Sequence, residues 1–252
     1  MNIESTSLWI GLALLCSCQS RQQVTAPIST IDSTLQTDAT AILESKLSEI
    51  NAQSGQVIVM EVQSGQIKAL VGLTKKDSTN YQSCENFSVW QSTGLMHPIS
   101  LLAALETGKV KLSDKVDTGN GIYQIHGREL KDHNWHRGGY GELTVQEGLA
   151  TSSNIAIYKT MEKAFANNPQ SYFDLLANMS YGKPDSITGI ANLKPAYFIT
   201  PKDNNWAKSD FAWSSIGYNQ QISPIQILTF YNAIANNGKM IQPQLYKDSV
   251  VV

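Results

Sequence analysis

The sequence predicts an α+β fold in which an antiparallel hairpin packs against a larger helical subdomain. Three observations carry that expectation: two β-rich runs split by a short turn at residues 63–65, an apolar helical run at residues 99–105, and a capped helix at residues 223–238. With 252 residues, 42% hydrophobic and 16% charged, the chain fits one medium domain with short appendages and can bury a core. Nineteen Lys and Arg against twenty-one Asp and Glu give a net charge of -2 without a long single-sign run, so no surface suits a nucleic-acid backbone.

Residues 8–15, LWIGLALL, form an apolar run too short to span a bilayer but of signal-peptide length. The Leu15-Cys16-Ser17-Cys18 that closes it resembles the lipobox of bacterial lipoproteins, which implies cleavage before Cys18, acylation of its thiol and a membrane anchor. No Lys or Arg precedes the run, a departure from the usual signal peptide. With Cys18 acylated and Cys16 removed, Cys84 would be the sole thiol, so no disulfide framework is expected. The reading divides the chain into a leader at 1–18, a flexible Ser-, Thr- and Gln-rich tether at 19–37, and a domain at 38–252.

The domain opens with AILESKLSEI, where Ile42, Leu43, Leu47 and Ile50 are expected near one helical face. GQVIVMEV and QIKALVG follow as hairpin strands, joined through Gly65. The run at 99–105 is apolar on nearly every side and reads as a central helix, with Ser92 or Thr93 as cap, Pro98 in the first turn and a stop at Thr107-Gly108. LTVQEGLA and IAIYKTMEKAF read as two helices flanking Ser152, Ser153 and Asn154. Ser223, Pro224 and Gly238 punctuate the last helix.

Four stretches in this order, GQVIVMEVQSGQIKALVG, HPISLLAALETGKV, GGYGELTVQEGLATSSNIA and SSIGYNQQISPIQILTFYNAIANNGKMIQP, resemble the transpeptidase domain of penicillin-binding proteins, relatives of the serine β-lactamases. The resemblance covers most of residues 40–245. It implies a β-lactamase/transpeptidase-like fold of which only the N-terminal hairpin of the sheet is present, and a role at the bacterial cell envelope with peptidoglycan stem peptides or an envelope protein as partner.

The family's chemistry rests on S-x-x-K, S-x-N and K-T-G motifs. In the first, a Lys one helical turn after the Ser takes the hydroxyl proton. Anchored on Pro98, this chain places Gly94 at the nucleophile and His97 at the general-base position. Glycine cannot be acylated, and loss of such a nucleophile costs about 10^6 in turnover by analogy with serine proteases. Ser152 and Asn154 match S-x-N, which the resemblance implies for substrate binding. No K-T-G occurs in the sequence, and the chain ends before the place where the family carries it.

Three classes follow: an inactive transpeptidase-like domain that binds peptide or protein, an active acyltransferase with a displaced nucleophile for which Thr93 is the candidate, and a truncated product without independent function. His126, His133, His136 and Asp132 lack the convergence that a metal site demands, so no metal or other cofactor is expected. Trp206, Phe211 and Trp213 read as core in preference to a binding platform.

Overall fold

The computed structural model describes residues 27–84, 87 and 94–247. The leader, Cys18, Ser92 and Thr93 lie outside the described residues. In chain order the first half contains β1 (Ile28–Ser29), α1 (Ser33–Glu49), β2 (Ser54–Met60), β3 (Ile67–Lys75), β4 (Tyr81–Ser83), α2 (His97–Glu106), β5 (Lys115–Asp117), β6 (Ile122–Ile125), β7 (Arg128–Lys131) and β8 (Glu142–Thr144). The second half contains α3 (Val145–Ala150), α4 (Asn154–Phe165), α5 (Gln170–Asn178), β9 (Tyr197–Phe198), α6 (Asp210–Ser215), β10 (Gln220–Gln221), α7 (Pro224–Ala235) and β11 (Tyr246–Lys247). The α+β expectation holds.

The hairpin forms as β2 and β3, antiparallel, with a register shift between Val59 and Met60. Gly65 in its loop has φ +73°, and a Cβ there would lie 2.4 Å from the Gln242 carbonyl oxygen, so the loop needs a residue without a side chain. The sheet is one strand larger than the predicted hairpin, because β4 pairs antiparallel with the far end of β3. Short two-stranded pairings, β1 with β11, β5 with β8, β6 with β7 and β9 with β10, supply the remaining ladders.

Two features differ from the sequence reading. Residues placed in the tether are structured from position 28: β1 pairs with β11, and α1 begins at Ser33, capped by Asp32, whose side chain accepts from the Leu35 amide. Polar side chains do this tying, which an apolar periodicity cannot register. Thr30 Oγ1 donates to the Ile67 and Gln244 carbonyls, and Gln36 bonds both backbone groups of Leu70. The buried stripe of α1 is Ala39, Leu43 and Leu47, at a spacing of four, while Ile42 and Ile50 are exposed. Ile42 is one residue, about 100°, away from that stripe.

The main core is helical and gathers α2, α4, α5, α6 and α7 around Ile99, Ile155, Met161, Tyr172, Phe211 and Phe230. Phe211 is buried within it, and Trp206 and Trp213 pack against it, so these aromatics serve packing. A smaller cluster of α1 and β3 side chains fixes the sheet to its helix. Between α3 and α4, Gly148 faces Ala156 so closely that an added Cβ would lie 2.5 Å from the Ala156 Cβ.

That contact generates a test. Gly148→Ala gains helix propensity worth roughly 0.5–1 kcal/mol but forces overpacking that costs about 1–3 kcal/mol. The urea midpoint is expected to fall, and adding Ala156→Gly is expected to give a combined loss smaller than the sum of the two single losses. Additive losses would show that the two helices do not meet at this pair.

Candidate functional site

Helix α2 is positioned by buried bonds as well as by its apolar faces. Ser100 Oγ donates to the Ser215 carbonyl at 2.7 Å and lies 2.8 Å from the Tyr172 hydroxyl, so α2 is pinned to α5 and α6. Burial holds the Tyr172 phenol well above its usual range, which keeps it neutral beside Ser100. A single 3-10 turn, Gly94–Met96, leads into the helix, and the Tyr231 hydroxyl of α7 ties it down at the Leu95 carbonyl, 2.8 Å away. The helix proper starts with His97 and is capped by the Met96 backbone without a side-chain bond. Pro98 sits in the first turn, where its missing N–H leaves no acceptor unmatched.

The partner side of the site is set by Asp132, which is fully buried just after β7. One of its carboxylate oxygens accepts from Ser153 Oγ at 2.8 Å, and the other accepts from the Ile155 amide at 3.0 Å. Ser153 in turn caps α4 through the Ala156 amide. Asn154 Nδ2 donates to the Lys131 carbonyl at 2.9 Å. The end of β7 thereby grips the first residues of α4, and the positive end of the helix faces the carboxylate.

This grip delivers Ser152 to α2. Its backbone has φ +54°, an uncommon left-handed conformation for a residue with a Cβ, in the turn between α3 and α4. Its Oγ lies 3.1 Å from His97 Nδ1. Ser152 is exposed and His97 is buried, with 2% of its surface accessible, so the pair joins solvent to the interior. Gly94 completes the arrangement: a Cβ built there would find Ser152 Oγ at 3.8 Å and, among the described residues beyond its chain neighbours, no other group within 4 Å.

The structure therefore brings together Gly94, His97 and Ser152, with the half-buried Asn154 beside them. Burial pushes the His97 imidazole below its ordinary value, while the Asn154 side chain and the Asp132 charge act in the opposite direction. The influence of Asn154 falls short of a formed bond, since His97 Nε2 is buried with no hydrogen-bond partner among the described residues. A neutral imidazole with its proton on Nε2 fits these contacts, because Nδ1 can then accept from the Ser152 hydroxyl.

In the sequence Asp132 reads only as a residue beside the histidines, and its anchoring role carries no local signal. Its carboxylate stands 22 residues upstream of the α4 start at Asn154, a separation that no local motif marks. The other histidines have separate contacts. His133 Nε2 lies 2.9 Å from the Tyr140 hydroxyl, His136 stacks edgewise on Trp135, and His126 occupies the β6–β7 turn with φ +47°. Among the described residues no group of three His, Cys, Asp or Glu side chains is placed to hold an ion. A cavity of about 560 Å³, lined in part by Leu70, Cys84, Phe87 and Leu245, shares no lining residue with the Gly94, His97 and Ser152 cluster.

The family model for the penicillin binding protein transpeptidase domain matches residues 55–250, more than three quarters of the chain. The chain belongs to this family. It is 26% identical over 227 residues to a probable peptidoglycan D,D-transpeptidase, PbpC, of Pseudomonas aeruginosa, covering 87% of this chain and 38% of the relative. To peptidoglycan D,D-transpeptidase FtsI of Escherichia coli it is 24% identical, covering 82% of this chain and 35% of the relative. The chain thus spans less than two-fifths of the length of either relative. Among solved structures, a peptidoglycan glycosyltransferase from Burkholderia ambifaria aligns with a TM-score of 0.73 at 26% identity, over 88% of this chain and 66% of that one. The transpeptidase domain of Burkholderia pseudomallei penicillin-binding protein 3 aligns with a TM-score of 0.70 at 24% identity, over 90% of this chain and 63% of that one, and so shares the fold.

The buried imidazole has a consequence for stability. Its folded value lies below the unfolded value of 6.5, so within that interval the unfolded chain binds the extra proton. Stability contributed by the neutral His97 is complete above the unfolded value and is lost as pH falls toward the folded one. Thermal melts are expected to show a drop between pH 7.5 and 5.5 that His97→Gln flattens. An equal drop in both proteins would assign it to other groups.

Proposed function

We propose that this protein is a transpeptidase-like domain of the bacterial cell envelope that recognises peptidoglycan stem peptides without forming the acyl-enzyme on which its family depends. The observation that carries this reading is Gly94. It stands at the first-motif position, faces Ser152 across the site, and has no atom that an acyl group could join. The fold, the family match and the facing positions of His97, Ser152 and Asn154 support a retained binding cleft.

Ser152 and Asn154 are the proposed peptide contacts. Asn154 Nδ2 is engaged with Lys131, which leaves the amide oxygen to receive an N–H from a substrate backbone. The sequence before residue 19 supports attachment of the domain to a membrane through an acylated Cys18. One acyl chain binds membranes only marginally, so such an anchor would suit a reversible or assisted association.

The direct test is a titration with a short peptide ending in D-alanyl-D-alanine, followed by amide NMR. Selective shifts at Gly94, His97, Ser152 and Asn154 are expected, with no release of D-alanine and no response to the L-alanyl-L-alanine counterpart. Equal responses to both peptides, or none at these residues, would contradict the proposed recognition. Release of D-alanine would contradict the absence of turnover.

A further inference from the structure

We propose that Ser152 is itself a nucleophile toward activated acyl esters, with His97 as its base and the open space at Gly94 receiving the acyl group. This goes beyond peptide recognition and does not rest on it. The nucleophile is not the family's first-motif serine, nor Thr93, but the serine that stands opposite the vacated position.

Four observations converge. Ser152 Oγ is 3.1 Å from an imidazole nitrogen, within reach for proton transfer. The hydroxyl belongs to an exposed residue while the imidazole is buried, so a ligand can approach the oxygen without solvating the base. The left-handed backbone at Ser152 is held by bonds from its amide to the Leu149 carbonyl at 3.0 Å and from the Ser153 amide to the Gly148 carbonyl at 2.9 Å, which fixes the side chain's origin. Finally, the space at Gly94 adjoins the oxygen, and among the described residues beyond its chain neighbours no other atom lies within 4 Å of an added Cβ. Ser152 also lies just before the N-terminus of the twelve-residue α4, whose positive end favours charge developing on Oγ.

The chemistry balances with water as the only co-reactant. Ser152 Oγ bonds to the ester carbonyl carbon as its proton passes to His97 Nδ1. The bond from that carbon to the alcohol oxygen then breaks, and the alcohol leaves with the proton. In the second half, water oxygen bonds to the acyl carbon while its proton passes through Nδ1 to Oγ, and the bond from Oγ to carbon breaks. The imidazolium formed in each half is buried and lacks a hydrogen bond on Nε2 among the described residues, which suits activated esters and not unactivated amides. Retained peptide binding without release of D-alanine is consistent with that limit.

The test is labelling of the full chain with a rhodamine fluorophosphonate, read by gel fluorescence and by mapping the modified peptide. In this probe the Oγ–P bond forms, the P–F bond breaks, and fluoride leaves as the hydroxyl proton goes to His97. Labelling is expected at Ser152. It should disappear in Ser152→Gly, a change that relieves the left-handed backbone and so preserves folding. It should slow by roughly 100-fold in His97→Gln, the scale of a lost general base. Gly94→Val, at a position without positive φ, should slow it by filling the acyl space. The proposal is overturned if the wild-type chain stays unlabelled while a serine hydrolase control reacts, or if label persists in Ser152→Gly. Wild-type rates in a folded His97→Gln would also overturn it, because the serine would then be merely exposed.

Discussion

The buried carboxylate of Asp132 is the constraint on which the site depends. It accepts from Ser153 Oγ and the Ile155 amide, and no Lys or Arg pairs with it among the described residues. Its charge is compensated instead by the hydroxyl, the amide and the positive end of α4. Because its own backbone amide donates to the Gly121 carbonyl, the loop between β5 and β6 and the end of β7 are locked to the same point. Removing this anchor would leave a buried hydroxyl and a buried N–H unmatched, each a substantial penalty. The left-handed turn at Ser152 can be held one residue before the cap because the cap is immobile.

Against this fixed turn stands an equally fixed helix. Ser100, Tyr172 and Ser215 set the depth of α2, and Tyr231 sets the turn before it. The two supports make the distance from Ser152 to His97 a property of the core and not of flexible side chains. On the reading proposed above, the departure from the S-x-x-K pattern of the family is local. In the proposed alignment Gly94 takes the place of the acylated residue and the His97 imidazole that of the amine, inside a frame that brings Gly94, His97 and Ser152 together. An imidazole suits this buried place because it can remain neutral there, whereas a lysine would have to keep a charge or lose it.

Much of this was legible in the sequence because strong local rules agree with the fold. The hairpin alternation, the apolar run of α2, the Ser223 cap with Pro224 and the order of the four family-like stretches each specify an element without distant partners. Counting back from Pro98 gives Gly94 and His97 as the proposed motif positions, and the structure places both beside Ser152. Long-range polar bonds left no such trace. Thr30 and Gln36 hold the chain to β3 from a stretch that reads as tether, and Asp132 acts on residues more than twenty positions away. The choice between Ile42 and Leu43 as a buried residue of α1 also depended on where β3 lies, since both fit a helical period.

The central claim is that a neutral His97 accepts a hydrogen bond from Ser152 inside a rigid frame. Nitrogen-15 NMR of the histidine side chains tests it most directly, because the two ring nitrogens and the protonation state give separate signals. The account predicts that at pH 7 His97 carries its proton on Nε2, that its Nδ1 signal moves in Ser152→Gly, and that it takes up a second proton only below its ordinary value. A charged His97 at pH 7, or an Nδ1 signal indifferent to Ser152, would contradict it.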